Sequence, residues 1–326
     1  MEHYGPISKI TRTSHSRILQ TTLKNQIHCS GIGLHSGNKI SMSLYPADPD
    51  TGIVLRRTDI PGQNALIPAR FDHVSDTRLC TTLRNDAGVQ IATVEHLMAA
   101  LAGCEIDNVV IEVNGAEVPI MDGSAEPFVF LIECAGTVQQ NAVRWGLRIK
   151  KPVSILEGGA EASLAPSSID RSGLTIDLRI DFKNSAIGQQ NLTVAVSSSS
   201  FKNEICRART FGFLEDVEAL RQVGLAQGGS LDNAVVISGN NILNEDGLRY
   251  EDEFVRHKIL DCIGDLYLAG NPIMGNFSGL RSGHGLHNKL LCKLFADSAA
   301  WEIIPMDEQV AVPVQTWQAE TSHAIA

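Results

Sequence analysis

The chain has 326 residues, 43% of them hydrophobic and 20% charged, with a formal net charge of −10. This length allows two medium domains with real cores, and the acidic balance argues against duplex nucleic acid as the main partner. No apolar run approaches the ~18 residues that span a bilayer, and seven scattered cysteines without CxxC pairing exclude a disulfide framework or a thiolate zinc site.

Residues 1–21 carry no apolar h-region and read as a disordered leader, not a secretory signal. A first domain is expected over 22–140. It opens with QIHCSGIGLHSGNKISMSLYPA (26–47), a pair of strands around a glycine-rich turn. TVEHLMAALAG (93–103) predicts a helix with Thr93 as N-cap and Gly103 as stop. DNVVIEV (107–113) is a strand by its β-branched content, and SAEPFVFLIECAG (124–136) a helix capped by Ser124. NAVRWGLRIKKP (141–152) reads as a connection, with 141–149 as linker.

A second domain is expected over 150–304. Its predicted strands include ASLAPSS (162–168), LTIDLRIDF (174–182) and part of NPIMGNFSGLR (271–281). Helices are predicted over FGFLEDVEALRQVG (211–224), over 249–270 ending at Gly270, and over GHGLHNKLLCKLFAD (283–297). The tail, 305–326, reads as poorly structured. ALAG (100–103) and YLAG (267–270) each close a histidine-bearing helix that is followed by a strand and a helix. This order of elements predicts two similar α/β layers face to face, with a cleft between them as the natural site.

The chemistry-bearing residues gather on those two helices. His257, Asp261 and Asp265 follow one another at four-residue steps and share a helix face. Alone, that spacing also fits a solvated stripe. His96 follows Glu95 on a helix that otherwise reads as buried, where a core histidine bonded to backbone is the plain alternative. Taken together, His96, His257 and Asp261 supply the three protein ligands of a catalytic zinc, leaving a fourth position for water. Glu95, beside His96, is then a carboxylate that can take the proton of the attacking water. His284, flanked by glycines in RSGHGLHNKL, is preferred to His287 as general acid, and Asp265 can hold its imidazole and raise its pKa. Lys258 points about 100° away from His257 on the helix and fits a substrate contact or a solvated lysine equally well. His35, in GLHSG, sits at a turn open to ligand contact. The same donor set also matches the facial triad of non-haem Fe(II) oxygenases. A metal-retaining binding module and a cysteine hydrolase on Cys80 or Cys262 are further rivals.

TVEHLMAALAG, DNVVIEVNGAEVPIMDGSAEPF, RARTFGF, NEDGLRYEDEFVRHKILDCIGDLYLAG and SGHGLHNKLL together resemble the bacterial UDP-3-O-acyl-N-acetylglucosamine deacetylase (LpxC) family, from about residue 22 to 303. The resemblance implies an α+β fold of two similar layered domains, each a β-sheet with helices, the helices packed between the two sheets. It implies an amidohydrolase that removes acetate from a UDP-3-O-(3-hydroxyacyl)-N-acetylglucosamine in the committed step of lipid A synthesis. One Zn²⁺, with Fe²⁺ as substitute, would be held by His96, His257 and Asp261 and would activate the attacking water. Glu95 matches the general base, His284 the general acid and Asp265 its partner. Thr210 matches the threonine that stabilises the oxyanion, and Lys258 the substrate-facing lysine.

Leu79 and Cys80 match a segment lining the site near the metal. An acyl passage is implied within 210–236, which in this chain includes Phe211, Phe213, Leu214, Val217, Leu231 and Val236. The backbone of QGGS (227–230), with Gly229 and Ser230, would approach the ligand. Ala226 stands where some members carry another side chain, which bears on acyl length. The expected protein is a cytoplasmic monomer working near the inner membrane.

Overall fold

The structure, a computed structural model, describes residues 17–62, 65–167, 173–183 and 186–307. Alternation of apolar and polar residues builds its sheets. In Lys39–Pro46, Ile40, Met42 and Leu44 turn inward while Lys39 and Ser41 face solvent. Such a period of two gives a sheet with one core face. Five strands form the first sheet in the order Ile27–Ile32, Lys39–Pro46, Val109–Val113, Ile53–Arg57, Leu66–Pro68. A second, seven-stranded sheet comprises Trp145–Ile149, Val153–Glu157, Ala160–Ala165, Leu174–Asp181, Gln189–Ala195, Ile273–Leu280 and Trp301–Pro305.

The echo between halves reappears as topology. Val109–Val113 runs antiparallel to Lys39–Pro46 and parallel to Ile53–Arg57. Its counterpart Ile273–Leu280 runs antiparallel to Ala160–Ala165 and parallel to Leu174–Asp181. Each of these strands follows a histidine-bearing helix.

The helices are α1 (Glu95–Gly103), α2 (Glu126–Ala135), α3 (Ser198–Ser200), α4 (Leu214–Gln222), α5 (Glu253–Tyr267) and α6 (His284–Ala296). Helix α1 packs on α5 and α2; α2 touches the first sheet, while α5 and α6 lie on the second. The arrangement is the expected α+β fold with helices between the sheets. Helices α1 and α5 meet closely because α5 offers Gly264 at the crossing. A Cβ there would lie 2.0 Å from the Glu95 carbonyl oxygen. Gly103 likewise leaves room for the Phe201 ring, 2.0 Å from where its Cβ would stand.

Several expectations are corrected. Thr93 does not cap α1: Val94 is the N-cap, and Thr93 sits at φ +60° with its hydroxyl on Glu117. Gly103 is the last helical residue, kept small by Phe201. Ala125 occupies the N-cap of α2, although Ser124 Oγ still accepts from the Glu126 amide at 3.2 Å. The stretch 141–149, read as a connection, lies in two strands, Thr137–Val143 and Trp145–Ile149. The last residues of the expected leader, 19–21, fall in the strand Leu19–Leu23, which pairs with Thr137–Val143; residues 1–16 of the leader lie outside the described residues. Phe211–Phe213 is a strand paired parallel with Val235–Ser238, and the predicted helix begins only at Leu214. The tail expectation falls mostly on 308–326, outside the described residues.

Candidate active site

Helix α5 lines up Glu253, His257, Asp261 and Asp265 at successive four-residue steps, all buried. Each fixes a different part of the site. Glu253 Oε1 accepts from the amide and Nε of Arg209, both at 2.9 Å, and its Oε2 accepts from the Arg249 amide at 2.6 Å. This clamps the segment that carries Ala208 and Thr210. The Ala208 carbonyl in turn takes the Nδ1 proton of His257 at 3.1 Å, which leaves Nε2 as a bare lone pair.

That lone pair stands 3.4 Å from Asp261 Oδ1, and His96 Nε2, from α1, stands 3.5 Å from the same oxygen. Both separations are long for hydrogen bonds, and Asp261 Oδ1 is buried without a hydrogen-bond partner. An orphaned carboxylate oxygen is costly in an interior. Two ligand atoms on a tetrahedral ion, each about 2.1 Å from it, stand about 3.4 Å apart. The donor set therefore fits a metal ion. Lys258 donates to the other oxygen, Oδ2, at 2.9 Å, so Oδ1 alone faces the two imidazoles. Burial, reinforced by His96 and Lys258, pushes His257 down to about 3 despite Asp261; it is neutral, the ligating form. Burial works to raise Asp261, but His257 and Lys258 outweigh it and hold the carboxyl well below its usual range.

Among the described residues a second group, Asp265, His284 and His287, also gathers within ligand distance. Its facing atoms are already hydrogen-bonded to one another. Asp265 Oδ2 accepts from His284 Nδ1 at 2.7 Å and His287 Nδ1 at 2.8 Å, and Oδ1 accepts from the Thr81 hydroxyl at 2.6 Å. Here the geometry is a proton-handling network. Burial opposes charge on His284, yet Asp265 prevails and raises its pKa to about 9. His287 is fully buried, with Nε2 against Ser282 Oγ at 3.2 Å. Glu95, at the start of α1, accepts from the Thr81 amide at 3.0 Å, and burial foremost raises its pKa.

His284 and Lys258 border an open cleft of about 500 Å³, with Leu79, Arg78 and Lys289 on its walls. Leu79 is exposed, whereas Cys80 is buried and its thiol is pushed up to about 12, first by burial and then by Glu95. Burial likewise drives the Cys262 thiol far upward, which leaves neither cysteine as a nucleophile. Thr210 is held at both backbone groups, its amide on Gly123 O and its carbonyl accepting from Val235, each at 2.8 Å.

Phe211 stacks edge-on to Phe254 and lies 6.0 Å from the His257 ring. Leu214 and Val217 lie on α4, a helix without a fully buried residue, and Val236 lies on the adjoining strand. Gly229, Ser230 and Leu231 sit in the intervening loop, Leu231 exposed. Both ring nitrogens of His35 are buried without a hydrogen-bond partner. Three supporting residues escaped the sequence reading: Thr81, Glu253 and Gly264. Only Glu253 left a signal, four residues before His257.

A buried two-histidine, one-aspartate donor set beside a glutamate is an arrangement that metal-dependent hydrolytic enzymes use, and comparison with known proteins places this chain among hydrolases. The family model for UDP-3-O-acyl N-acetylglycosamine deacetylase (LpxC) matches residues 20–296, and the chain belongs to that family. Proteins named UDP-3-O-acyl-N-acetylglucosamine deacetylase are similar to it over nearly their whole length. The one from Shewanella frigidimarina is 50% identical over 91% of this chain and 96% of its own. That from Idiomarina loihiensis is 49% identical over 94% and 100%, and that from Pasteurella multocida 51% over 91% and 96%.

Proposed function

We propose that this chain hydrolyses the acetamide of a UDP-3-O-(3-hydroxyacyl)-N-acetylglucosamine, releasing acetate and the free amine in lipid A synthesis. The observation that carries the reading is Asp261 Oδ1, buried and unpartnered, facing two imidazole Nε2 atoms at 3.4 and 3.5 Å. His96, His257 and Asp261 would hold a Zn²⁺, with Fe²⁺ as substitute. Such an ion, when bound, acidifies water and polarises a carbonyl oxygen. Glu95, with its raised pKa, accepts the proton of the attacking water. Thr210 and Lys258 face the developing oxyanion. His284, protonated through Asp265, gives its Nε2 proton to the leaving amine.

The acyl chain lies along the apolar unit that includes Phe211, Leu214, Val217 and Val236, with Gly229, Ser230 and Leu231 at its far end and Leu79 and Cys80 near the ion. At ~0.8 kcal/mol for each buried methylene, ten or more carbons would dominate recognition. Arg78 and Lys289 lie in the open cleft, where a diphosphate can reach them, although each is already paired with a carboxylate. We assign 22–140 and 150–304 to two domains, taking the strand at 145–149 with the second sheet. No helix among the described residues is long and apolar enough to cross a membrane. We infer a cytoplasmic monomer that meets its lipid-like substrate near the inner membrane.

The test is amine release from that substrate by purified protein, after chelation and again after Zn²⁺ is added back. Activity that is lost and then restored supports the reading. Inactivity with zinc bound and the fold intact overturns it in favour of a binding module.

A further inference from the structure

Thr81 commits all three of its polar groups to the two halves of the site. Its amide donates to Glu95 Oε2 at 3.0 Å, its hydroxyl to Asp265 Oδ1 at 2.6 Å, and its carbonyl accepts from the Val94 amide at 3.3 Å. Glu95 opens α1; Asp265 lies in α5, 184 residues from Thr81 along the chain. All three residues are buried, Thr81 at 2% exposure.

These contacts fix more than distance. A carboxylate held through one oxygen can still turn about its Cβ–Cγ bond. With the Thr81 hydroxyl on Oδ1 and the two imidazoles on Oδ2, the Asp265 plane is set, and with it the direction in which His284 points. The same residue holds one oxygen of Glu95. Two buried carboxylates of like charge repel, and a single neutral residue that donates to both holds them at a defined separation.

We propose that Thr81 is a positioning residue for the reaction, a brace that fixes Glu95 relative to the Asp265–His284 pair. The proposal rests on the reading of Glu95 as base and His284 as acid. Geometry of this kind acts on the rate rather than on binding, because a misplaced proton donor costs most in the transition state.

The experiment compares zinc-loaded wild type with Thr81→Val, which keeps the volume and the amide but removes the hydroxyl, and with Thr81→Ser, which restores it. Thr81→Val should lower kcat about 10–100-fold, with KM within about twofold and metal content per chain unchanged. Thr81→Ser should recover kcat to within about threefold of wild type. In Asp265→Asn, adding Thr81→Val should cost little more, since both changes break one unit. Should Thr81→Val fail to fold, Thr81→Ala carries the same comparison.

Wild-type kcat in Thr81→Val, a Thr81→Ser variant as impaired as Thr81→Val, or a fully multiplicative loss in the double variant would each overturn the brace. A different result marks failure of the underlying reading. If Glu95→Gln and His284→Ala release acetate at the wild-type rate, base and acid are misassigned and the brace falls with them.

Discussion

His284 and His287 donate to the same oxygen of Asp265, so sequence spacing alone could not separate them. Burial does. His287 is fully enclosed with both nitrogens in hydrogen-bond distance of a partner, whereas His284 uses Nδ1 on Asp265 and borders the open cleft. His284→Ala should therefore lower kcat by about 10²–10⁴-fold. His287→Ala, which only loosens Asp265, should cost about 10–100-fold; steady-state kinetics on metal-loaded protein checks both.

The pH dependence follows from the same contact. The His284 pKa is raised from 6.5 to about 9 by Asp265 and, further off, by Glu95 and Asp261, against burial. Its charged form stabilises the fold fully below 6.5, and that contribution fades as pH rises through about 9. Activity that needs the imidazolium should fall along the same alkaline limb. Asp265→Asn removes the nearest negative charge and should move that limb down toward 6.5. A limb unmoved in the kcat/KM profile of this variant would mean that another group titrates there.

Between elements, the crossing of α1 and α5 decides whether a site exists at all. Two opposed effects meet at Gly264. Helix propensity favours alanine over glycine by ~1 kcal/mol. A Cβ 2.0 Å from the Glu95 carbonyl oxygen forces the helices apart, and such overpacking costs ~1–3 kcal/mol. Sterics should win. Gly264→Ala is expected to lower stability in urea unfolding and to weaken metal binding, because His96 rides on one helix and Asp261 on the other. A variant more stable than wild type with full metal content would contradict this.

Element boundaries failed in the sequence where pairing is non-local. FGF reads as the start of a helix because it runs straight into LEDVEAL, yet its parallel partner, Val235–Ser238, lies some twenty residues on. Thr137–Val143 and Trp145–Ile149 look like a connection because their partners are distant in the chain: Leu19–Leu23 for the first, and Ile273–Leu280 and Trp301–Pro305 for the second. The histidine-bearing helices, by contrast, were visible from local periodicity, since their hydrogen bonds close within the segment itself.

At the scale of the molecule, a bound ion would join the two halves, because His96 comes from the first and His257 and Asp261 from the second. Ligand that binds only the folded state stabilises it, by ~2.7 kcal/mol at a hundredfold over its dissociation constant. Chelation should therefore lower the melting temperature by several degrees as well as abolish turnover, and Zn²⁺ should restore both. Melting that ignores chelation would speak against a metal at the junction.

The sequence by itself determined the residue types and their spacing on each helix: the four-residue steps of α5, the Glu95–His96 pair, and the family motifs around them. These are local properties, written in a helical period of 3.6 residues. Only the tertiary structure decided which oxygen of Asp261 remains open, which histidine reaches the cleft, and that Thr81, Glu253 and Gly264 hold the parts together. Apart from the Lys258–Asp261 contact within α5, those facts depend on contacts between segments far apart in the chain. Spacing within one helix carries no information about the approach of another.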